Sequence, residues 1–266
     1  MKVRGIEVEK KVGESSKFRV YLGSDKNEKQ VILKVAKTFE DGDVLAKEAS
    51  QFNMMRTFGD EIASMQESQE GKNSHYGWLF AKLLASFMDP AQGDRRINML
   101  AMPDVDLARL VPLAKLHRET KIDARTSVWI LGRFFKFYSF FELLAAANDS
   151  HVVRYPIFSP GDYLIEPERH RLIYYNFSGD EADVIANNFI KEIARFIVDW
   201  VAAKDGQEDQ RYLGLIKDFS ENGRDSFEHA HGELYHLANE LWGIKYYPFM
   251  YCNRGTYNWK TIEEAT

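Results

Sequence analysis

Residues 152–180 read VVRYPIFSPGDYLIEPERHRLIYYNFSGD, and the way this stretch is read decides the fold of the whole chain. YLIE at 163–166 and LIYYN at 172–176 have strand composition, Pro167 opens a charged turn between them, and Gly179 sits in a polar knot that closes the stretch. The expectation is a hairpin with Asp162 at one strand edge and Asn176 at the other. Taken alone, an Asp and an Asn in such places are ordinary turn residues, because both hydrogen-bond their own backbone. The residues on either side give the pair another meaning.

Upstream, residues 3–37 have the period of strands. Ile6, Val8 and Val12 precede GESSKF, then Arg19 to Leu22 and Gln30 to Val35 follow, with SDKNEK as the turn between the last two. From Asp41 to about Thr57 the spacing of Val44, Leu45, Phe52 and Met55 is helical, with Asp41 or Asp43 as N-cap and Gly59 as stop. Residues 61–74 are polar and read as a helix end running into a loop. Residues 78–88 and 96–102 read as two further strands joined by DPAQGD. Five antiparallel strands with one helix inserted after the third make a small α+β lobe.

Downstream the pattern is helical. A short helix is expected over 107–117, and a long one over 124–147 carrying Trp129, Phe134, Phe137, Phe141 and Leu144, an aromatic stripe read as core. After the hairpin, Phe189, Ile193, Phe196, Ile197, Trp200 and Val201 form the apolar face of a helix starting near Asp183. Two more helices are expected over 207–221 and 226–242, and the aromatic tail from Tyr246 reads as a strap packed on the body. The chain divides near Pro103 into a strand-rich part, 1–103, and a helical part, 104–266.

Composition narrows the function classes. The 266 residues are 45% hydrophobic and 28% charged, as in an ordinary soluble globular protein. A net charge of −5 provides no basic excess to displace counterions, which argues against nucleic-acid and anionic-membrane partners. Cys252 is the single cysteine, so no disulfide forms within the chain and a reducing compartment is expected. MKVRGIEVEKK lacks the apolar core of a signal peptide, and no apolar run reaches membrane-spanning length, so a cytoplasmic location is expected. His229, His231 and His236 with Glu228 and Glu233 are metal-ligand types, but His229 and His231 are two apart and do not share a helix face. A metal hydrolase is disfavoured for that reason.

In this order of elements the chain resembles the protein-kinase-like superfamily, which includes protein kinases and aminoglycoside phosphotransferases. The implied fold is bilobal: a five-stranded antiparallel N-lobe with one helix and a mainly helical C-lobe, together one kinase-like domain. The stretch from Gly13 to Val20, GESSKFRV, stands where the family has its glycine-rich loop, and keeps the first glycine and the final valine. Ser15 stands in as a small residue, and Phe18 replaces the third glycine with a bulky ring. VILK at 31–34 matches the strand that carries the family's phosphate-binding lysine, which makes Lys34 that lysine and Glu48 its helix partner. Met102, in LAMP, stands at the hinge where an adenine ring stacks. The resemblance thus implies ATP at Gly13, Ser15, Val20, Lys34, Glu48 and Met102, with Mg or Mn as the accompanying metal.

The opening hairpin departs from the family. Aligning DYLIE on the family's NxLxD strand puts Asp162 at the metal-binding Asn, and Ile157, five residues earlier, at the catalytic-base Asp. An isoleucine neither accepts nor orients a hydroxyl proton. Asn176-Phe177-Ser178 stands at DFG, so the expected metal carboxylate is an amide and the site loses a negative charge. Asp162 and Asn176 remain as candidate metal ligands, in exchanged positions. A helix starting near Asp183 leaves no room for a peptide-docking activation segment, which places the chain nearer the small-molecule kinases. Asp180, Glu181 and Asp183 read as helix-capping acids, with metal ligation as the alternative.

The expectation is a pseudokinase, with no confident catalytic residue, that binds nucleotide weakly or not at all and acts through a protein partner. The alternative is a divergent ATP-dependent phosphotransferase acting on a small-molecule or protein hydroxyl, with Asp162 or an acid of 180–183 replacing the base. A third reading is an interaction module whose nucleotide space is filled by Phe18.

Overall fold

The computed structural model describes residues 2–70, 79–101, 110–147, 154–166, 171–177, 181–183, 186–202 and 206–243. Met102, Asp180 and the aromatic tail lie outside them. The chain forms two compact units: one built from Met1–Leu110 with Ile173–Ser178, the other from Val111–Leu172 with most of the remainder.

The first unit holds a six-stranded sheet of β1 (Lys2–Val3), β2 (Ile6–Glu14), β3 (Phe18–Ser24), β4 (Gln30–Ala36), β5 (Lys82–Asp89) and β6 (Arg95–Ala101), in the order β1-β2-β3-β4-β6-β5. All pairings are antiparallel. The five expected strands are present, and β1 adds a two-residue edge. β4 is central, and every residue from Val31 to Ala36 is buried, so both of its faces are covered. Side chains alternate across a strand. Val31, Leu33 and Val35 therefore join Val3, Ile6, Phe87 and Ile97 in one apolar cluster, and Ile32, Lys34 and Ala36 project to the other side. Gly23 lets β2 and β3 approach closely, since a Cβ there would lie 2.7 Å from the Glu7 carbonyl oxygen.

Helix α1 (Gly42–Glu70) follows β4. Leu45, Glu48, Ala49, Phe52 and Met55 make its buried face. Gly59 does not stop it. This glycine is itself buried, and tertiary cover outweighs the roughly 1 kcal/mol by which glycine disfavours a helix interior. Asp41 precedes the first turn, and its carboxylate turns back to accept from the Thr38 amide and hydroxyl. β5 starts at Lys82 rather than 78, because Phe80 forms a bridge with Tyr174 instead of sheet pairs.

The second unit is organised by α3 (Ala124–Ala147), whose bounds are those expected from its aromatic period. Asp123 caps it by accepting from the Thr126 amide and hydroxyl, each at 2.9 Å. Around it stand α4 (Ala186–Trp200), α5 (Gln207–Asn222) and α6 (Phe227–Trp242). The helix expected over 107–117 is instead β7 (Val111–Pro112) followed by α2 (Leu113–Glu119), because proline fits the entry to a helix and not its interior. Asp183 does not open α4. It ends β11 (Glu181–Asp183), which pairs with β8 (Arg154–Pro156). The hairpin is present as β9 (Tyr163–Glu166) and β10 (Arg171–Tyr174), in a three-stranded sheet ordered β10-β9-β7. No described helix is long and apolar enough to cross a membrane.

Candidate functional site

In the first unit, chemistry concentrates on one face of β4. Lys34 lies directly opposite Val20 on β3 and Asn98 on β6, so the three side chains share that face. Phe18 pairs with Ala36, two residues along, and belongs to the same face. Helix α1 covers it and brings Glu48 to Lys34, with Nζ 2.5 Å from Oε1 and both side chains wholly inaccessible to solvent. A buried ion pair offsets its desolvation only if its remaining donors and acceptors are satisfied. Lys34 Nζ also donates to Asn176 Oδ1 at 3.0 Å. Glu48 Oε1 accepts from the Phe177 amide at 3.1 Å, and Oε2 accepts from Asn98 Nδ2 at 2.9 Å. Four segments of chain thereby meet at one carboxylate and one ammonium.

Aromatic rings enclose the pair. Lys34 Nζ lies 5.0 Å from the centre of the Phe18 ring and 5.1 Å from that of Tyr175, within cation–π range. Phe177 is buried edge-on against Phe52 of α1 and Tyr174, with centroids at 4.8 and 4.7 Å, and is stacked on Phe80 at 5.8 Å. The 174–177 segment is thus fixed to α1 both by polar contacts at Glu48 and by packing at Phe52.

The turn at 15–17 is closed on itself. Ser15 Oγ accepts from the amides of Lys17 and Phe18, and the Ser15 amide donates to the Phe18 carbonyl. Amides that would face a phosphate in a glycine-rich loop are consumed inside this turn. Gly13 pairs with Val20 in the ladder, and a Cβ there would only touch Val20 at 3.6 Å. Outside the turn, Lys11, Lys37 and, at 3.6 Å, Arg19 gather on Glu14. Hydrogen bonds from Lys11 and then Lys37 hold that carboxyl down at about 2.

In the second unit, Asp162 closes the single turn at Pro160–Asp162 and enters β9, its amide donating to the Ser159 carbonyl at 3.0 Å. Tyr138 of α3 donates to the Pro156 carbonyl at 3.2 Å and shares a hydroxyl contact of 3.0 Å with Tyr163. Burial pushes the Tyr138 phenol up, so it stays neutral. These bonds pin the backbone just before Ile157, whose side chain is 44% exposed. Ile157 therefore presents an apolar, largely accessible side chain. Among the described residues, no group of three or more His, Cys, Asp or Glu is placed to hold a metal ion. Asp180 and Met102 are outside the described residues, as are the side chains of Glu181 and Asp183.

Lys34, Glu48 and Val20 are thus joined on one face, and Asn176 is brought to Lys34 through its amide oxygen. Ser15 belongs to a self-satisfied turn, and Gly13 to the β2–β3 ladder that leads into it. Asn98, Tyr175 and the Phe177 amide are participants that sequence reasoning missed. An asparagine inside the apolar strand RRINMLA was the one available signal for Asn98, because a strand buried on both faces rarely carries an amide without a partner for it.

The fold has clear relatives among solved structures. Vaccinia related kinase 3 superposes with a TM-score of 0.55 at 9% identity, over 92% of this chain and 91% of that one. A pseudokinase in its apo form gives 0.54 at 10% identity, over 86% and 91%. The kinase domain of PknI from Mycobacterium tuberculosis gives 0.51 at 10% identity, over 90% and 98%. No protein-family model matches the chain, and no curated protein matches it in sequence. The fold is protein-kinase-like.

Proposed function

For a chain with the protein-kinase-like fold, we propose the role of a pseudokinase: a protein that does not transfer phosphate, binds ATP weakly or not at all, and acts by presenting its surface to a protein partner. The observation that carries this reading is the state of Lys34. A lysine that serves ATP must offer its ammonium to phosphate oxygens. Here the ammonium has no solvent exposure, is engaged by Glu48 Oε1 and Asn176 Oδ1, and lies beneath the rings of Phe18 and Tyr175. The amides bound to Ser15 add to the argument, since they leave the turn little with which to cradle a phosphate. Ile157 supports the loss of the transfer step, having no group to take a proton from a hydroxyl. A metal at Asn176 would compete with the ammonium already hydrogen-bonded to the same oxygen, so Mg or Mn is expected to bind poorly there.

The test is a thermal-shift titration of the full chain with ATP, ADP and GTP, each with and without Mg²⁺ and Mn²⁺. A ligand at a hundred times its dissociation constant stabilises by about 2.7 kcal/mol. The pseudokinase reading expects no shift at millimolar nucleotide, and metal-dependent stabilisation by ATP would overturn it.

One observation favours the divergent phosphotransferase. The Lys34–Glu48 pair is formed, as it must be in an active kinase. In that case Asp162 is the candidate replacement base or metal ligand. Turnover of ATP with a hydroxyl acceptor that disappears in Asp162→Ala would establish this second reading.

A further inference from the structure

We propose that Asn98 is a latch that holds helix α1 and the 174–177 segment in a single arrangement with no ligand required. Lys34 and Asn98 are directly opposed on adjacent strands, and Glu48 reaches both: Oε1 takes Lys34 from β4 and Oε2 takes Asn98 from β6. The same Nδ2 of Asn98 donates to the Leu45 carbonyl of α1 at 2.8 Å. One amide group thus grips the helix at a side chain and at its backbone, one turn apart. A tilt or shift of α1 must break bonds on both strands, where a Lys–Glu pair alone would require only one to open.

The cost of this arrangement is visible. Asn98 is wholly buried, and its Oδ1 has no hydrogen-bond partner among the described residues. A buried acceptor left unpaired is unfavourable, and a leucine of similar volume would avoid that penalty. The amide therefore does not help the first unit by packing. Its contribution lies in the Nδ2 contacts to Glu48 and Leu45.

Glu48 in turn accepts the Phe177 amide, and Phe177 packs on Phe52 four residues further along α1. Fixing Glu48 therefore also fixes the 174–177 segment. In this protein the position of α1 is a property of the folded first unit and is uncoupled from nucleotide. The latch is independent of whether ATP binds at all.

Hydrogen exchange read by mass spectrometry on the full chain tests this. In wild type, exchange over 43–58 and 171–177 is expected to be slow and the same with or without millimolar ATP and Mg²⁺. Asn98→Leu should speed exchange in those two segments by about tenfold or more, the loss expected for a hydrogen bond to a charged group. It should leave exchange over 6–24 unchanged, and the global unfolding midpoint should fall only modestly, because loss of the unpaired Oδ1 offsets part of the cost of leaving Glu48 Oε2 without its donor. Asn98→Asp, which sets a second carboxylate against Glu48, should speed the same segments further. The latch is overturned if both variants exchange like wild type, if exchange rises equally over the whole chain, or if ATP slows 43–58 in the wild-type protein. An ATP-induced thermal shift that leaves 43–58 unaltered would instead defeat the pseudokinase reading and leave the latch standing.

Discussion

Lys34 donates to the side-chain oxygen of Asn176 at 3.0 Å, across a sequence separation of 142 residues. The hydrogen bond joins the central strand of the sheet to the chain just after β10. At the position where the sequence resemblance leads one to expect a metal-binding carboxylate, this protein holds a neutral oxygen bonded to its own ammonium. Lys34 thereby serves one carboxylate, Glu48, and one amide, Asn176.

Asn176→Asp adds a second, half-buried carboxylate beside the ammonium that Glu48 already engages. In EDTA the variant should be less stable than wild type by about 1–3 kcal/mol, in the range for an imperfectly compensated buried group. Mg²⁺ or Mn²⁺ should recover the loss in the variant and leave the wild type unchanged. Urea unfolding with and without metal reads both outcomes, and a metal-insensitive variant would refute the charge argument.

Lys34→Met removes the partner of a wholly buried carboxylate. The expected loss is about 3–5 kcal/mol. Urea unfolding of wild type, Lys34→Met and the double variant Lys34→Met/Glu48→Gln checks this: the double variant should recover part of the loss because the stranded charge is gone, and equal losses in the two variants would refute it.

Phe18→Ala should cost about 3 kcal/mol, since the ring is almost fully buried and its loss leaves a cavity beside Lys34. If the ring is what bars phosphate from Lys34, the variant should gain a nucleotide-dependent thermal shift that the wild type lacks. An unchanged response to ATP would assign exclusion to the Asn176 and Glu48 contacts instead.

His231 gives the second unit a pH dependence. Burial first, then the nearby charges of Lys136 and Arg133, hold this imidazole down at about 4, against an ordinary 6.5. Its Nε2 is buried with no partner among the described residues, and its ring lies 4.1 Å from that of Tyr235. A histidine whose folded pKa is depressed opposes folding when it takes up a proton. Its neutral form is fully compatible with the fold above about pH 6.5, and stability falls as pH drops from there toward 4. Chemical unfolding at pH 7.5 and pH 5 should differ by on the order of 2 kcal/mol, from the size of the shift, and His231→Gln should flatten the difference. Equal pH profiles for the two proteins would refute the assignment.

Much of the fold was legible in the amino-acid sequence because it rests on local periodicity. The period-two runs of β2, β3 and β4 and the aromatic stripe of α3 each have one way to bury their apolar side chains. Boundaries were less legible where tertiary contact overrides a local signal. Gly59 reads as a stop and is carried through by burial, the 107–117 helix gives way to β7 and α2 at Pro112, and Asp183 reads as a cap but pairs in β11. At the site, the resemblance of VILK to the family's lysine strand is what picked out Lys34 and Glu48 as partners, and the structure joins them.

What sequence alone determined here is the set of chemical groups: no Asp or Glu lies between Ser150 and Gly161, Asn176 carries no charge, and Phe18 brings a bulky ring. Only the tertiary structure decided how those groups are used. Whether Lys34 faces solvent or is sealed depends on contacts from residues 14, 64 and 142 positions away, at Glu48, Asn98 and Asn176. Such contacts leave no periodic trace, since each is a single polar atom meeting another across the folded unit. The unpaired Oδ1 of Asn98 is the clearest case, because its cost and the grip it accompanies exist only once β4, β6 and α1 are assembled.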